Sequence, residues 1–420
     1  MQYKVYEGNG YTIHTIKTDK FKNCSMEVMF SNKLNKDKIT ENNILVDILG
    51  SSSKKYPKRR DVSIELENLY ASGFRGFVTR LGNSNIISFV MDFLNPRYCD
   101  KGFLDDVIKF SFDMIKEPNI IDGKFEESVF NVIKNRLKSD IESLKEHATR
   151  YAFYRSVYNM DSSSPSSYNM TGYLDQLEKV TTTSLVDTYN SLLDDYDCDI
   201  YVIGNMDMDE VVSLIKKNFK YSGKSLDKRE LYVNNVVTDK IKDILETGKY
   251  EQDSFLMIYN LEDLTFDEKN FDIQLYNIIM GNGGLTSKLC KYLREENSLC
   301  YSVSSLYQKY DRLFVIYAGI DKKDKDKCIS LVNKAMDEMR NGDFTDEELE
   351  NAKKSAITSI RMSEDTQGGI INNYLFHELD NFPLIEERIK KYNNVSREDI
   401  VKVANKIKLN TIYLLSGEDK

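Results

Sequence analysis

The sequence predicts an α+β fold made of two similar halves, each a mainly antiparallel sheet with helices packed on it. Three observations indicate this architecture. Segments that alternate apolar and polar residues, as strands do, are interspersed with segments of helical periodicity. The order of these segments in the first half returns in the second half. Short anchor stretches in the two halves also align at nearly one offset, which is typical of an internal duplication.

The first half begins with strands, because "YTIHTIKT" and "CSMEVMFSN" alternate in hydrophobicity. The next segment, "ENNILVDILG", places its apolar residues on one helical face. The remaining segments are a helix in "RRDVSIELENLYASG", strands in "FRGFVTRLG" and "NIISFVMDFL", helices in "FLDDVIKFSFDMIKE" and "FEESVFNVIKNRLKSDIESLKEHATRYAFYRSVY", a helix in "TSLVDTYNSLL" and a strand in "CDIYVIGNM".

The second half repeats this order of parts. It begins with a strand in "DSFLMIYNL" and a helix in "FDEKNFDIQLYNIIMGNGG", for which Thr265 and Glu268 predict a capping box. The remaining segments are a helix in "TSKLCKYLREEN", strands in "CYSVSSLYQ" and "RLFVIYAGI", helices in "KDKCISLVNKAMDEMRNG", "FTDEELENAKKSAITSIRMSE" and "SREDIVKVANKI", and a strand in "TIYLLSG".

Three anchor pairs define the offset between the halves. They are Phe125 with Phe344 and Lys134 with Lys353, both shifted by 219 residues, and Ile200 with Ile412, shifted by 212. We therefore predict an N-terminal half at residues 1–220, a connector at 221–235 and a C-terminal half at 236–420.

Composition excludes several classes of protein. The 420 residues suit two domains, and the net charge of −9 argues against general nucleic-acid binding. The six cysteines include no C-x-x-C pair, so we expect reduced thiols and neither a disulfide framework nor a cysteine zinc site. The start of the sequence has no apolar signal region, and no long apolar run occurs elsewhere, so we expect a cytoplasmic protein without a membrane partner.

The stretch "GNGGLTSKLCKYLREENSLCYSVSS" contains the candidate site. Arg294 lies near the end of a predicted helix and Tyr301 begins the next strand, so a turn at "ENSL" would bring both side chains to one rim of the sheet. From these residues alone, Arg294 could equally form a surface ion pair with Glu295 or Glu296. Tyr301 could be a half-buried strand aromatic.

This stretch and the duplicated plan resemble the pitrilysin/insulinase superfamily of zinc peptidases along essentially the whole chain. The resemblance implies that Arg294 and Tyr301 contact substrate carbonyls and the developing oxyanion. A guanidinium fork and a phenol are suitable hydrogen-bond donors for that role. The residues Gly281, Asn282, Gly283 and Gly284 predict a helix C-cap turn. In the resembled family this turn lies beside the substrate cavity, so they are also candidate peptide contacts.

Active members of that superfamily bind zinc through an H-x-x-E-H motif and a later glutamate. The matching stretch, "NNILVDILGSSSKKYP", is identified by the "SSKKYP" that follows the motif. The matching positions are Asn43 for the first histidine, Val46 for the glutamate, Asp47 for the second histidine and Arg136 for the later glutamate. The chain has only three histidines, none four residues from another (His14, His147 and His377). We expect no zinc site and no cofactor in this chain.

The resemblance implies the zinc-free subunit of a two-chain bacterial peptidase, inactive alone. Its expected partners are a homologous zinc-bearing H-x-x-E-H subunit, in a heterodimer, and a peptide substrate. In that hypothesis Arg294 and Tyr301 act in trans on a substrate held at the partner's zinc. An alternative of another class is a non-catalytic scaffold or peptide-binding protein that retains only the fold. The replaced zinc positions disfavour a third hypothesis, a self-sufficient metallopeptidase.

Overall fold

A computed structural model describes residues 1–221, 223, 230–238 and 240–417 of the chain. Its strands are β1 (Gln2–Glu7), β2 (Tyr11–Lys17), β3 (Asn23–Lys33), β4 (Gly73–Leu81), β5 (Ser84–Leu94), β6 (Ile120–Ile121), β7 (Lys124–Phe125), β8 (Asp197–Gly204), β9 (Lys242–Gly248), β10 (Ser254–Leu261), β11 (Cys300–Gln308), β12 (Leu313–Ile320) and β13 (Ile407–Gly417).

The α-helices are α1 (Ile39–Leu49), α2 (Arg59–Asn68), α3 (Phe103–Lys116), α4 (Glu127–Ser143), α5 (Ala148–Met160), α6 (Leu174–Lys179), α7 (Ser184–Asp194), α8 (Met208–Asn218), α9 (Ile273–Asn277), α10 (Lys325–Asn341), α11 (Asp346–Ser363), α12 (Gln367–Asp380), α13 (Ile385–Asn394) and α14 (Arg397–Ala404). Three segments are π-helical: Glu268–Asp272, Ile278–Asn282 and Cys290–Glu295. Single 3₁₀ turns lie at Lys36–Lys38, Pro96–Tyr98, Leu144–Glu146, Pro165–Ser167, Gly284–Thr286 and Lys322–Asp324.

The first of two structural units comprises Met1–Glu142 and Asn169–Leu231. Its six-stranded sheet has the order β1-β2-β8-β3-β5-β4. The strands pair antiparallel except β2 with β8, which are parallel. Apolar residues of this sheet, among them Phe30, Phe89 and Ile200, belong to one buried cluster with apolar residues of α1 and α3. The alternation of the strands therefore produces one apolar face that helices cover.

The second unit comprises Ser143–Tyr168 and Tyr232–Lys420. Its five-stranded sheet has the order β11-β12-β10-β13-β9, with β13 and β9 parallel and the other pairs antiparallel. Phe255, Phe314 and Tyr276 form a buried cluster with Val332 and Met336 of α10. Strand β11 is an edge of this sheet, so one of its two sides carries no neighbouring strand among the described residues.

The two units share one strand plan. Strands β2, β8, β3, β5 and β4 of the first unit correspond in order and direction to β9, β13, β10, β12 and β11 of the second. The anchor lysines also make the same kind of contact, because Lys134 Nζ donates to Val180 O at 2.9 Å and Lys353 Nζ to Asn393 O at 3.3 Å. The predicted α+β fold with two similar, mainly antiparallel halves is confirmed.

One segment is placed differently from the predicted division at residues 1–220, 221–235 and 236–420. Residues 143–168, expected in the N-terminal half, belong to the second unit. Helix α5 lies on the face of the second sheet opposite the α10 cluster, where Ala152, Val157 and Met160 are buried among apolar residues of β10 and β13. Of the predicted connector, residues 222 and 224–229 lie outside the described residues.

Candidate functional site

Arg294 lies at the end of the π-helical segment Cys290–Glu295, which we call the arginine helix. The chain reverses directly after it. Ser298 N donates to Arg294 O at 3.0 Å, and Leu299 N donates to Leu293 O at 2.8 Å. Ser298 has a left-handed backbone with φ of 51°. The bond from the left-handed Ser298 to Arg294 O is that of an αL C-cap, which ends the helix and directs the chain into β11.

The turn brings Arg294 and Tyr301 together. The guanidinium carbon Cζ of Arg294 lies 5.6 Å from the centre of the Tyr301 ring, which is cation–π distance. Tyr301 is 84% exposed and the Arg294 side chain 40% exposed. Arg294 Nε also lies 3.3 Å from Glu295 Oε1, the surface ion pair that was the simpler interpretation of this residue. Both polar groups therefore face outward, beside one another.

Strand β11 is irregular where Tyr301 lies. Its pairing with β12 skips between Cys300 and Val303, so one extra residue is accommodated there. Such a bulge redirects a side chain that a regular strand would hold in the sheet. The exposure of Tyr301 follows from this local geometry, whereas the sequence suggested a half-buried strand aromatic as one alternative.

The glycine turn, residues 281–284, packs against strand β11 at Ser305. A Cβ on Gly281 would lie 2.7 Å from Ser305 N and 2.5 Å from Ser305 Oγ, so the helix can approach β11 only with glycine here. The helical segment ends at Asn282, and Gly284 has a φ of 65°. These residues form the turn after a helix that the sequence indicates. A peptide contact for Gly281, Asn282, Gly283 and Gly284 stays a prediction.

The positions that match the family's zinc ligands lie on α1 and α4. Asn43 Nδ2 donates to Ile39 O and to Met170 O, each at 2.9 Å. Val46 is buried. Asp47 Oδ2 accepts a hydrogen bond from Arg136 Nη2 in an ion pair whose side chains are 33% and 50% exposed.

This set of side chains does not fit a zinc ion, which takes histidine, cysteine or carboxylate ligands. Asn43 uses its amide nitrogen on two carbonyl groups, and Val46 has no donor atom. The guanidinium of Arg136 supplies the positive charge beside the Asp47 carboxylate. Within the described ranges, no group of three or more His, Cys, Asp or Glu side chains has a metal-binding arrangement.

Three residues that support the arginine helix were not among the predicted site residues: Lys288, Tyr292 and Glu338. Lys288 Nζ donates to Glu338 Oε2 at 2.7 Å and to Asp343 O at 2.8 Å, and Tyr292 OH donates to Glu338 Oε1. Burial would raise the pKa of the Glu338 carboxyl, but the bonds from Lys288 and Tyr292 hold it below its usual value. The spacing of Lys288 and Tyr292, four residues apart on one helical face, was the available signal.

In the part of the chain that the structure describes, no helix is both long enough and apolar enough to cross a membrane.

Comparison with protein families gives a match to the family described as "Peptidase M16 inactive domain" over residues 179–356. This range contains the glycine turn, the arginine helix and Tyr301. Among curated proteins, the chain is 26% identical over 418 residues to "Probable inactive metalloprotease YmfF" of Bacillus subtilis. That alignment covers 98% of this chain and 96% of the relative.

Solved structures show the same fold. A conserved protein from Enterococcus faecalis superposes with a TM-score of 0.92 and 27% identity, covering 100% of both chains. The peptidase M16 inactive domain from Pseudomonas fluorescens superposes with a TM-score of 0.79 and 14% identity, covering 100% of this chain and 99% of the other. The resemblance that the sequence indicates is thereby confirmed.

Proposed function

Because this chain matches the family described as "Peptidase M16 inactive domain" and resembles a probable inactive metalloprotease, we propose that it is the zinc-free subunit of a heterodimeric metallopeptidase. Its partner in this proposal is a homologous chain with an intact H-x-x-E-H motif, and the two chains together enclose a peptide chamber. The chain is inactive alone, since its own first half lacks the ligands for a metal-activated water.

In the complex, Arg294 and Tyr301 act on the peptide bond to be cleaved. The partner's zinc supplies Lewis-acid chemistry and an activated water. The Arg294 guanidinium donates a planar fork of hydrogen bonds to substrate carbonyl oxygens. The Tyr301 hydroxyl donates one more bond where negative charge develops on the carbonyl oxygen. Neither side chain needs to transfer a proton in this role, because both act as oriented donors.

One observation carries the proposal: two exposed donor side chains are held together although folding gains little from either. An 84% exposed tyrosine buries little apolar area, and a surface guanidinium contributes little through its ion pair. The αL C-cap after Arg294 and the bulge at Tyr301 nevertheless direct both toward the same region. A substrate contact explains this arrangement, whereas core packing does not.

A second function, a scaffold or peptide-binding protein without catalysis, has support of its own. The relative from Bacillus subtilis is named as inactive, and the Arg294–Glu295 contact is an ordinary surface ion pair. A scaffold has no use for oxyanion donors, so the two functions differ in what the loss of those donors does.

The test combines this chain with a zinc-bearing homologous subunit and follows hydrolysis of a fluorogenic peptide. We expect Arg294→Ala and Tyr301→Phe each to lower kcat by roughly 10²–10³-fold, the usual effect of removing one oxyanion donor. Lys291→Ala is the matched control, because Lys291 is an exposed cation on the same helix. Size-exclusion chromatography should show unchanged complex formation in all three variants.

The same preparation tests the chain on its own. Chelator-washed chain should hydrolyse no peptide and hold no stoichiometric zinc by elemental analysis, because the matching positions carry no ligand set. About one zinc per chain would contradict this part of the proposal. Full activity of both Arg294→Ala and Tyr301→Phe in the complex would favour the scaffold.

A further inference from the structure

Glu338 of α10 contacts the helix that leads to Arg294 at two points. One carboxylate oxygen accepts from Lys288 Nζ and the other from the Tyr292 hydroxyl. Lys288 and Tyr292 are four residues apart, so they lie one above the other on the same helical face. Because a carboxylate is planar and rigid, contacts to both of its oxygens restrain rotation of the helix as well as its distance from α10.

The contact is protected from solvent. The Lys288 side chain is 7% exposed and the Glu338 side chain 21% exposed. Lys288 Nζ also donates to Asp343 O, just beyond the end of α10, so it is bound to two points of the same neighbouring segment. Buried ion pairs of this kind add little net stability, and their best-supported role is to select one register.

The strand that carries Tyr301 is anchored by a separate contact, between Ser305 and Asn277. Ser305 Oγ in β11 donates to Asn277 Oδ1 at 2.7 Å, and both residues are buried. This bond joins the strand that carries Tyr301 to the end of α9. The arginine helix is thus joined to α10 through Glu338, whereas the strand that carries Tyr301 is joined to α9 through Asn277.

We propose that Glu338 is a positioning residue that sets the place of the Arg294 guanidinium relative to the Tyr301 ring. The catalytic consequence rests on the function proposed above, but the geometric claim concerns the chain alone. Glu338→Gln removes the charge that holds Lys288 and leaves an amide that cannot accept at both of its ends. The arginine helix is then free to rotate, and the Arg294–Tyr301 pairing weakens.

The first experiment uses the isolated chain with a fluorinated tyrosine incorporated at position 301 only. The ¹⁹F resonance reports whether the guanidinium lies over the ring, and Arg294→Ala gives the reference shift for its loss. We expect Glu338→Gln to move the resonance in the same direction and Tyr292→Phe to move it less. Asp337→Asn is the matched control, since Asp337 is the adjacent carboxylate on α10 and is 65% exposed.

The second experiment is a double-mutant cycle in the complex with the zinc-bearing subunit. We expect Glu338→Gln to lower kcat by about 10- to 100-fold with KM unchanged, as for a small misplacement of a catalytic group. In the Arg294→Ala background it should lower kcat no further, because Glu338 acts through Arg294. A merely structural residue would reduce activity equally in both backgrounds.

The two experiments separate this inference from the proposed function. If Arg294→Ala moves the ¹⁹F resonance and neither Glu338→Gln nor Tyr292→Phe does, the positioning role is wrong. Should Glu338→Gln fail to fold, Tyr292→Phe, which keeps the ring and loses only the hydroxyl, decides the outcome. If Arg294→Ala leaves kcat unchanged in the complex, the proposed function fails, while the resonance still decides whether Glu338 positions Arg294.

Discussion

Asp272 is a carboxyl residue buried to 6% exposure on the π-helical segment Glu268–Asp272. Burial, followed by the charges of Asp399 and Asp267, raises its pKa to about 7. An unfolded chain ionises an aspartate near pH 3.9. Between these values the folded protein retains a proton that the unfolded chain has lost. The free energy of unfolding therefore falls as the pH rises from about 4 to about 7.

We predict that Asp272→Asn stabilises the protein more at pH 8 than at pH 5. The amide resembles the protonated acid and has no charge to desolvate. A shift of three pKa units corresponds to roughly 4 kcal/mol, which is the upper bound for the gain at pH 8. Urea unfolding at the two pH values measures it, with Asp337→Asn as control, because Asp337 is 65% exposed and is not among the charges that raise the pKa of Asp272. The same gain at both pH values would show that Asp272 does not titrate as described.

The positions that we matched to the superfamily's zinc ligands show what sequence does and does not indicate about single residues. The spacing of Asn43, Val46 and Asp47, together with "SSKKYP", predicted that each matches a ligand position, and this assignment stays a prediction. Their pattern also predicted that no zinc site remains. The Asp47–Arg136 ion pair was not predicted, because the two residues are 89 positions apart and meet only when α4 packs near α1. Side-chain pairing of that kind depends on tertiary structure.

At the scale of elements, the turn after the arginine helix ends on an unusual residue. Ser298 adopts the left-handed conformation that glycine or asparagine usually takes at this position. The sequence indicated a turn at "ENSL" but gave no signal for the left-handed conformation of Ser298. The side-chain Cβ of Ser298 makes this backbone conformation unfavourable by about 1–2 kcal/mol.

We predict that Ser298→Gly stabilises the protein by about 0.5–1 kcal/mol, because relief of this strain exceeds the entropy that glycine adds to the unfolded chain. Thermal or urea unfolding measures the change. Ser298→Ala is the control, since alanine keeps the Cβ and should give no gain. A loss of stability in Ser298→Gly would mean that the serine hydroxyl contributes more than the strain costs.

Contacts between residues close in sequence were predicted, whereas contacts between residues far apart in sequence were not. The capping box predicted for Thr265 and Glu268 is present, with Thr265 N donating to Glu268 Oε2 at 2.7 Å and Glu268 N to Thr265 Oγ1 at 3.3 Å. Both partners lie within one turn, so the sequence contains the whole interaction. The Lys288–Glu338 contact joins residues 50 positions apart, and the sequence gave no prediction of it.

At the scale of the whole molecule, the sequence predicted the duplicated plan. It did not predict that residues 143–168 belong to the second unit. The sequence predicted one long helix where the structure has α4 and α5, separated by the 3₁₀ turn Leu144–Glu146, and it did not indicate which sheet α5 covers. In the structure, Tyr151 OH and Arg155 Nε both donate to Glu246 on β9, each at 2.9 Å. The apolar face of α5 covers Leu256 and Tyr413, both fully buried. A helix encoded before residue 169 therefore completes the second unit.

We predict that the fragment 232–420 is unstable alone and is stabilised by a synthetic peptide of residues 143–168. Without α5, the apolar residues of β10 and β13 on that face are exposed to water, which favours aggregation and dye binding. Unfolding of the fragment with and without the peptide measures the effect, and a peptide carrying Val157→Asp is the control. A fragment that is equally stable without the peptide would show that α5 is dispensable.

The position of α5 also has a consequence for biosynthesis. Met160, at the end of α5, precedes Leu415, the last β13 residue in its apolar cluster, by 255 positions. At about 5–20 residues per second, a ribosome needs roughly 10–50 s to make the intervening chain. Throughout that interval the sheet that the apolar face of α5 covers is incomplete, because β13 has not been made. The apolar face of α5 is therefore fully covered only after β13 has left the ribosome.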